Sequence, residues 1–497
     1  MSLPVQVTSY PLTANTAITL ILISLAWAVI YPLYISSLKH VPGPKLGAIT
    51  SLYINRRYYN ESAILYIKSL HDKYGHIIRV GPNEVVLDDP KQLSIIYGVR
   101  STFTKPSTAV LFENYGFPNV FSSVTREQHR DRRKQVAHIY TMNAHLNNAS
   151  LMNFIRNRLE KLLEIIDRGN DRVTDVYTLA GYFALDNVSY MVYGESLDSM
   201  GGQNLRAADD IRNLAIASTP FVRFAWLFTK ASSLWPWNLL LPKFIAKAIT
   251  SRDSLAAINQ ELIARMTSSD SRVDPNNTVL GYMQSQPEYG QSITKGHVQS
   301  ECFDHILAGA DTTAASIAYS LYVLSLAKNQ QYQERLRQEV SQLSWPLDFK
   351  AVGPGSLQQR VTPLKEATHV NVQGIVYKLA PGTIIGIQAY SLHRNQDVFG
   401  AAPEEFKPGR WEIADEERLK AMKKAWIPFG SGARTCLGLN LAIIELKAAL
   451  AAVFRHYNVE LDPNTDPDGM SPIFAAVIRP KAEKCNLVFT KNRQPTA

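Results

Sequence analysis

Residues 296–329 run from Gly296 to Asn329 without a proline, and after Ile306 they are apolar on nearly every side of a helical projection. At 1.5 Å per residue such a helix is roughly 50 Å long. A helix that is apolar all round has no face to give to water, so it has to pass through the middle of the molecule. The rest of the body must therefore be elements packed around it. Of the 497 residues, 46% are hydrophobic and 19% charged, which supports a sizeable core and excludes global disorder. Strand signals are short: Ile77–Val80, Val85–Leu87, Val370–Val372, Ile384–Ile387 and Cys485–Phe489. The fold class expected is mainly α with a small β-sheet portion.

The first 38 residues carry no charged side chain, and Ala17–Ile35 is apolar except for Thr19 and Ser24. That stretch makes a helix of roughly 28 Å, close to the thickness of a bilayer's hydrocarbon core. The first basic residues, Lys39 and Lys45, follow it, which places the remainder on the cytosolic side. Ala26-Trp27-Ala28 has the form of a signal-peptidase site, but it lies inside the apolar run with no positive segment before it. An uncleaved anchor over residues 1–38 is the reading, with transmembrane residues at about 17–35. With the body cytosolic, the sequons at Asn60, Asn148, Asn187 and Asn276 stay unmodified.

A hinge over 39–50 contains Val41-Pro42-Gly43-Pro44, whose prolines favour a stiff, extended connector. Beyond it, residues 51–497 show no repeat and no linker, and read as one catalytic domain. Residues 224–245 are rich in tryptophan but broken by Pro236 and Pro242, so they cannot span a membrane. A loop dipping into the membrane interface and an ordinary core segment fit that composition equally well. The net charge of +9 is dispersed, without the long basic runs of a nucleic-acid binder. A basic face for an acidic protein partner or an anionic membrane fits better.

Cys302, Cys436 and Cys485 are the three cysteines, too few for a disulfide framework in a chain of this length. Cys436 lies in Phe429-Gly430-Ser431-Gly432-Ala433-Arg434-Thr435-Cys436-Leu437-Gly438. The pattern F-x-x-G-x-R-x-C-x-G should arise by chance about once in ten thousand such chains. Its glycines allow a tight bulge and close approach to a flat group. A helical pattern begins at Leu439, and a helix N-terminus stabilises a thiolate. Coordination to a metal deprotonates the thiol outright, and loop N–H groups tune its donor strength.

This loop resembles the haem-thiolate loop of the cytochrome P450 family, in its fungal, membrane-anchored form. The resemblance implies a cytochrome P450 fold behind one transmembrane helix, and haem b with Cys436 as axial ligand to the iron. It also implies a monooxygenase that uses O₂ to hydroxylate or oxidise a lipophilic small molecule in secondary-metabolite biosynthesis. Electrons would come from NADPH-cytochrome P450 reductase, with cytochrome b5 as a further donor, at the endoplasmic reticulum membrane. Ala308-Gly309-Ala310-Asp311-Thr312-Thr313 resembles the family's oxygen-activation motif. Small residues would let a ring approach, Thr312 would hold a water and Asp311 would relay protons. Packing of two helices is the plainer explanation of the same small residues. His129-Arg130-Asp131-Arg132-Arg133 resembles a helix whose positions i and i+4 both meet the haem propionates. Arg434 and Arg360 are further propionate contacts, and Phe429 and Gly438 complete the loop. Arg130, Arg132 and Lys134 point elsewhere, toward either a reductase or plain solvent.

One family feature is missing. A helix carrying E-x-x-R should precede Gly353-Pro354-Gly355-Ser356-Leu357, yet Ser344–Val352 holds neither glutamate nor arginine. Glu334-Arg335-Leu336-Arg337 has the letters but follows the long helix directly, and reads as a solvated face. Arg410, the third member of the usual ion network, is present. A dry arginine without partners is costly, so the segment 400–430 would lack a clamp. Two rival functions follow: a haem-thiolate isomerase or dehydratase, and an inactive, haem-deficient remnant.

Overall fold

Residues 14–169, 173–223, 242–268, 274–343, 360–361, 368–413, 415–475 and 477–492 are described by the computed structural model. Helix α1 (Ala14–Ile30) is followed without a break by one wide turn, Tyr31–Ile35. Pro32, which has no N–H to give an i→i−4 bond, sits at the start of that turn. Together they make a 22-residue apolar rod of mean hydropathy 2.2, long and apolar enough to cross a membrane. The residues that follow this rod pack onto the body. Leu38 and Val41 are buried, and the N–H of Arg79 donates to the carbonyl of Pro42 at 2.7 Å. The buried Arg79 guanidinium also donates to the carbonyls of Pro32 and Pro82, each at 2.7 Å. A side chain at Gly43 would lie 2.4 Å from the Arg79 carbonyl, so only glycine fits there. The hinge is thus packed onto the sheet, a step beyond the free-standing stiff connector.

Arg79 belongs to β1 (Ile77–Gly81), which pairs antiparallel with β2 (Glu84–Leu87). Helix α2 (Arg126–Lys134) starts at a capping box between Thr125 and Gln128. Further along come α3 (Ala149–Arg168), β3 (Val173–Asp175), α4 (Val176–Tyr193), α5 (Leu205–Arg223) and α6 (Lys243–Ser268). The tryptophan-rich stretch, up to residue 241, lies outside the described residues.

The long central helix is α7, Lys295–Ser325, capped by Thr294 and His297. It packs on α4 and shares with α3 and α4 the largest core cluster, including Phe183, Val188, Ile306 and Ala314. Helix α8 (Gln330–Ser341) follows after one short turn. Strands β4 (Arg360–Val361), β5 (Thr368–Val372), β6 (Ile375–Leu379) and β7 (Ile384–Ile387) come next. The four-stranded sheet has the order β1-β2-β7-β4, with β2 and β7 parallel. Strand β6, absent from the sequence-based expectation, forms a hairpin with β5 across Gln373-Gly374, both at positive φ. Helix α9 (Glu416–Ala425) leads to the cysteine loop, and α10 (Leu439–His456) leaves it. Strand β8 (Tyr457–Leu461) joins a sheet of order β3-β11-β8, where β11 is Asn486–Lys491. Between them β9 (Pro472–Ala475) and β10 (Val477–Pro480) form a second hairpin. Two sequons are internal: Asn187 is fully buried and Asn148 caps α3.

Candidate active site

The cysteine loop is folded by its glycines. Gly430 and Gly432 have φ of 74° and 68°, and a Cβ on Gly432 would fall 1.7 Å from the Tyr97 carbonyl oxygen. The bulge closes when the N–H of Cys436 donates to the carbonyl of Phe429 at 2.8 Å. Gly438 has an ordinary φ of −75° and nothing within 4 Å of where its Cβ would sit. One side of the loop is therefore open. Burial pushes the Cys436 thiol above its usual range, while the N–H groups of Gly438 and Leu439 and the Arg133 guanidinium pull it down. The net direction is upward, and the two N–H groups at the start of α10 would steady the thiolate that a bound metal leaves.

Cations surround the loop. Arg133 Nη1 donates to the carbonyl of Thr435 at 2.7 Å. Arg434 reaches the other way, to the carbonyls of Ser123 at 2.7 Å and Val124 at 2.9 Å. His129, on the face of α2 shared with Arg133, is buried, and burial with the charges of Arg434, Lys105 and Arg133 lowers it to about 3. Lys105 is lowered to about 7 by burial and by Arg434, against a small opposing effect of Asp304. Its ammonium lies 4.1 Å from the centre of the Phe121 ring and donates to the Phe121 carbonyl. Among the described residues, Lys105, His129 and Arg133 form no ion pair with a carboxylate. Basic side chains held so close that they lower one another's affinity for protons favour an anion beside them. Carboxylate arms on a flat cofactor answer that need, so the residues present fit a haem. Lys105 was missed from sequence because a single lysine before Pro106 in a loop carries no periodic signal.

The third side is α7. Although most of this helix is buried, Asp304, Leu307, Ala308, Thr312 and Ser316 form an accessible stripe along it. Thr312 Oγ1 donates to the carbonyl of Ala308 at 2.8 Å, Ser316 to Thr312 at 2.9 Å and Ser320 to Ser316 at 2.7 Å. Burial raises Asp304 to about 7, and Lys105 lies close enough to act on it. Tyr140 ties the two sides together. Its hydroxyl bonds His305 at 2.9 Å, and the charges of Asp304 and Cys436 both act on it.

The structure divides the two explanations of Ala308-Gly309. Ala308 faces the open stripe, as an approaching ring requires. Gly309 faces α4, where a Cβ would meet Val188 Cγ2 at 2.7 Å, so it serves helix packing. Asp311 is turned from the stripe as well: Tyr177 of α4 donates its hydroxyl to Asp311 Oδ1 at 2.8 Å. Arg360 pairs by its backbone with Gly386 on β7, and its side chain lies outside the described residues. Phe429 is half-buried and contributes its carbonyl.

A thiol cradled by N–H groups, next to a cluster of basic side chains, suits the haem-thiolate oxidoreductases as a class. The family model described as Cytochrome P450 matches residues 42–346 and 357–486, and the chain belongs to that family. It is an oxidoreductase of monooxygenase type, and the family implies haem iron with thiolate ligation. The chain is 27% identical to a pisatin demethylase of Fusarium vanettenii, over 90% of this chain and 88% of that one. It is 27% identical to cytochrome P450 monooxygenase SAT11 of Stachybotrys chartarum, over 88% and 86% of the two chains. An N-acetyltryptophan 6-hydroxylase of Emericella nidulans is 26% identical, over 88% and 89%.

The family match breaks between residues 346 and 357, and the sequence there carries no E-x-x-R. Glu334 and Arg337 on α8 pair at 3.1 Å; Glu334 is exposed as a solvated face requires, while Arg337 is partly buried and also donates to Asn458. Arg410 departs from expectation. It is partly exposed and donates to the carbonyls of Phe399, Ala402 and Glu405 at 2.6, 3.1 and 3.1 Å. Its own loop satisfies it, so it is no stripped, dry cation.

Proposed function

We propose that this protein is a single-pass protein of the endoplasmic reticulum membrane whose cytosolic domain oxidises a lipophilic small molecule of secondary metabolism. In this reading residues 1–38 are the anchor, 39–50 the hinge and 51–497 the catalytic domain. Electrons come from NADPH-cytochrome P450 reductase, with cytochrome b5 as a second donor. The substrate is a small, largely apolar organic molecule, of the kind that a pisatin demethylase or an N-acetyltryptophan 6-hydroxylase would accept. The observation that carries the reading is the Cys436 loop, which shares Tyr140 with the helix whose accessible stripe is otherwise out of place in a buried element.

In this assignment Cys436 ligates the iron of haem b. His129, Arg133, Arg434, Lys105 and Arg360 hold the propionates, and Phe429 and Gly438 shape the loop. The bound haem supplies activation of O₂ and transfer of one oxygen atom to substrate. The chain supplies space, orientation and protons. Ala308 leaves room above the ring. The Thr312 hydroxyl has committed its proton to the Ala308 carbonyl, so it offers a lone pair, which orients a water as a donor into the cavity. Asp311 is the adjacent acid that replaces the proton that water gives up.

The test is the spectrum of the reduced, CO-treated protein. It should show the red-shifted Soret band of thiolate ligation, and Cys436→Ala should lack it. An alanine variant that keeps the band would overturn the ligand assignment. Product formed only with reductase, NADPH and O₂ together separates the monooxygenase from an isomerase or an inactive remnant.

A further inference from the structure

Asp304 is the one charged residue on the accessible stripe of α7, about 12 Å along the helix axis from Thr312. Glu301, a turn before it, is buried and already engaged: both oxygens accept the Val120 N–H at 3.2 Å, and Oε1 bonds His305 Nε2 at 3.0 Å. His305 uses its other nitrogen on the Tyr140 hydroxyl. Ligand atoms of Glu301, Asp304 and His305 lie within 4.8 Å of one another, yet the Asp304 side chain has no ion pair or hydrogen bond among the described residues. One free carboxylate is too little to hold a metal ion, but it suffices for a cation that brings its own N–H donor. The Val120 bond fixes the neighbouring Phe121 over this part of α7. Phe121 is 48% exposed, and Phe112 meets its ring edge-on at 5.1 Å. The Lys105 ammonium lies 4.1 Å from the centre of the Phe121 ring, and its charge reaches Asp304. The protein thus holds an ammonium of its own between an aromatic face and a carboxylate.

We infer that Asp304 and Phe121 form a substrate subsite for a lipophilic amine in its protonated form, the carboxylate accepting its N–H and the ring packing on its N-alkyl groups. This inference rests on the monooxygenase reading above, in which Lys105 turns to a propionate and leaves its place to the substrate. The nitrogen is held about two turns of α7 from Thr312, so the substrate is an elongated molecule, with its amine at one end and the carbon to be oxidised near Thr312. The charges facing this place oppose one another. Glu301 and Asp304 favour a cation, while His305, Lys105 and Arg434 disfavour one. Carboxylate arms beside Lys105 and Arg434 would offset that opposition. Burial and Glu301 push Asp304 up to about 7, so at lower pH the carboxyl is neutral and the pair with the amine is lost.

The experiment uses the full, haem-loaded chain after its CO spectrum has been read, and follows binding by the Soret shift that accompanies substrate entry. The probes are N,N-dimethyldodecylamine and the hydrocarbon of the same shape in which CH replaces N. Asp304→Asn should weaken the amine about tenfold or more and leave the hydrocarbon unchanged, and Asp304→Glu should recover much of the loss. Phe121→Leu should weaken the amine alone, by about threefold. Amine affinity should climb as pH rises through about 7, while hydrocarbon affinity stays flat. Equal amine binding in the parent chain and Asp304→Asn would overturn the subsite. So would an equal loss for both probes, which would make Asp304 a structural residue of the cavity. A Soret shift in the opposite direction would put the nitrogen on the iron and overturn it as well. A failed CO test would sink the subsite together with the reading it rests on, whereas a passed one followed by any of these results would sink the subsite alone.

Discussion

Arg133 and Thr435, 302 residues apart, are joined by a 2.7 Å hydrogen bond from the guanidinium to the carbonyl just before Cys436. It ties α2 to the cysteine loop, while Arg434 makes the reverse link from the loop to the carbonyls ahead of α2. The two elements that would hold the cofactor are thus positioned by the arginines that would hold its carboxylates. Arg133→Ala should cost about 1.5–3 kcal/mol of stability from the lost charge-assisted bond, and haem content should fall with it. Arg133→Lys cannot reproduce the planar fork and should recover only part. Thermal unfolding and haem content of the purified variants check this.

Two glycines of the same loop should behave oppositely. Gly432→Ala places a methyl on the Tyr97 carbonyl at a φ of 68°, and should cost the cofactor-free protein about 1–3 kcal/mol. Gly438→Ala meets neither a clash nor a forbidden φ, so the cofactor-free fold should be unaffected while haem loading falls. Chemical denaturation without haem, then titration with haem, distinguishes them. Unimpaired loading of Gly438→Ala would mean that the open side of the loop is not where the ring lies.

Lys105 and His129 predict how acid and base act on the cofactor-free protein. Lys105 in the fold is lowered to about 7, so between that pH and its ordinary value near 10.4 the unfolded chain binds more protons. Stability should rise as pH rises through that window. His129, at about 3, should cost stability as pH falls from roughly 6.5 to 3, because only the unfolded chain takes up that proton. Lys105→Met should therefore stabilise the haem-free protein at pH 7 and weaken haem binding. His129→Asn should flatten the acid limb of the stability curve. Anionic arms beside these groups would reverse both slopes in the loaded protein.

The small residues of α7 separate chemistry from packing. Thr312→Ala should keep the haem spectrum and send electrons to peroxide, lowering product per NADPH by about tenfold or more. Gly309→Ala should do neither directly. Its methyl runs into Val188, and the expected loss is about 1–3 kcal/mol of fold stability from overpacking. Unchanged coupling in Thr312→Ala would remove Thr312 from the mechanism.

What could be read from the chain, and what could not, follows from range. The central helix, the cysteine bulge and strands such as Ile384–Ile387 are specified by neighbours a few residues away, so periodicity and glycine spacing reveal them. The turn at Pro32 and the hairpin at Gln373-Gly374 were equally local and were legible in principle. The direction of Asp311, the packing role of Gly309 and the docking of the hinge on Arg79 join Asp311 to Tyr177, Gly309 to Val188 and Pro42 to Arg79, pairs more than a hundred residues apart or, for the last, tens of residues apart. Lys105 joins the site because its loop pairs with the chain just ahead of α2, the Lys105 N–H donating to the Val124 carbonyl. None of these has a pattern of its own.

The gap ahead of Gly353 supplies the last prediction. Residues 399–412 are held on one edge by an aromatic group, with Phe399, Trp411 and Trp426 in edge-to-face contact at 5.6–6.5 Å. On the other edge Arg335 of α8 pairs with Glu412 at 2.8 Å, and Tyr332 packs on Phe406. Arg335 and Glu412 are each more than half exposed, and an exposed pair contributes about 0–1 kcal/mol. Arg410 is satisfied by carbonyls of its own loop, which orders the loop internally without fastening it to the core. Among the described residues, the segment leading to the cysteine loop therefore has one firm edge and one weak one. Arg335→Ala should change haem retention little. Inserting a helix of about twenty residues with E-x-x-R between Val352 and Gly353 should slow haem loss, by giving Arg410 a charged partner on the core side. Haem content and the rate of haem transfer to an acceptor protein, measured on both chains, decide it. Equal and full retention would show that the aromatic edge is sufficient and that this chain holds its cofactor without the clamp.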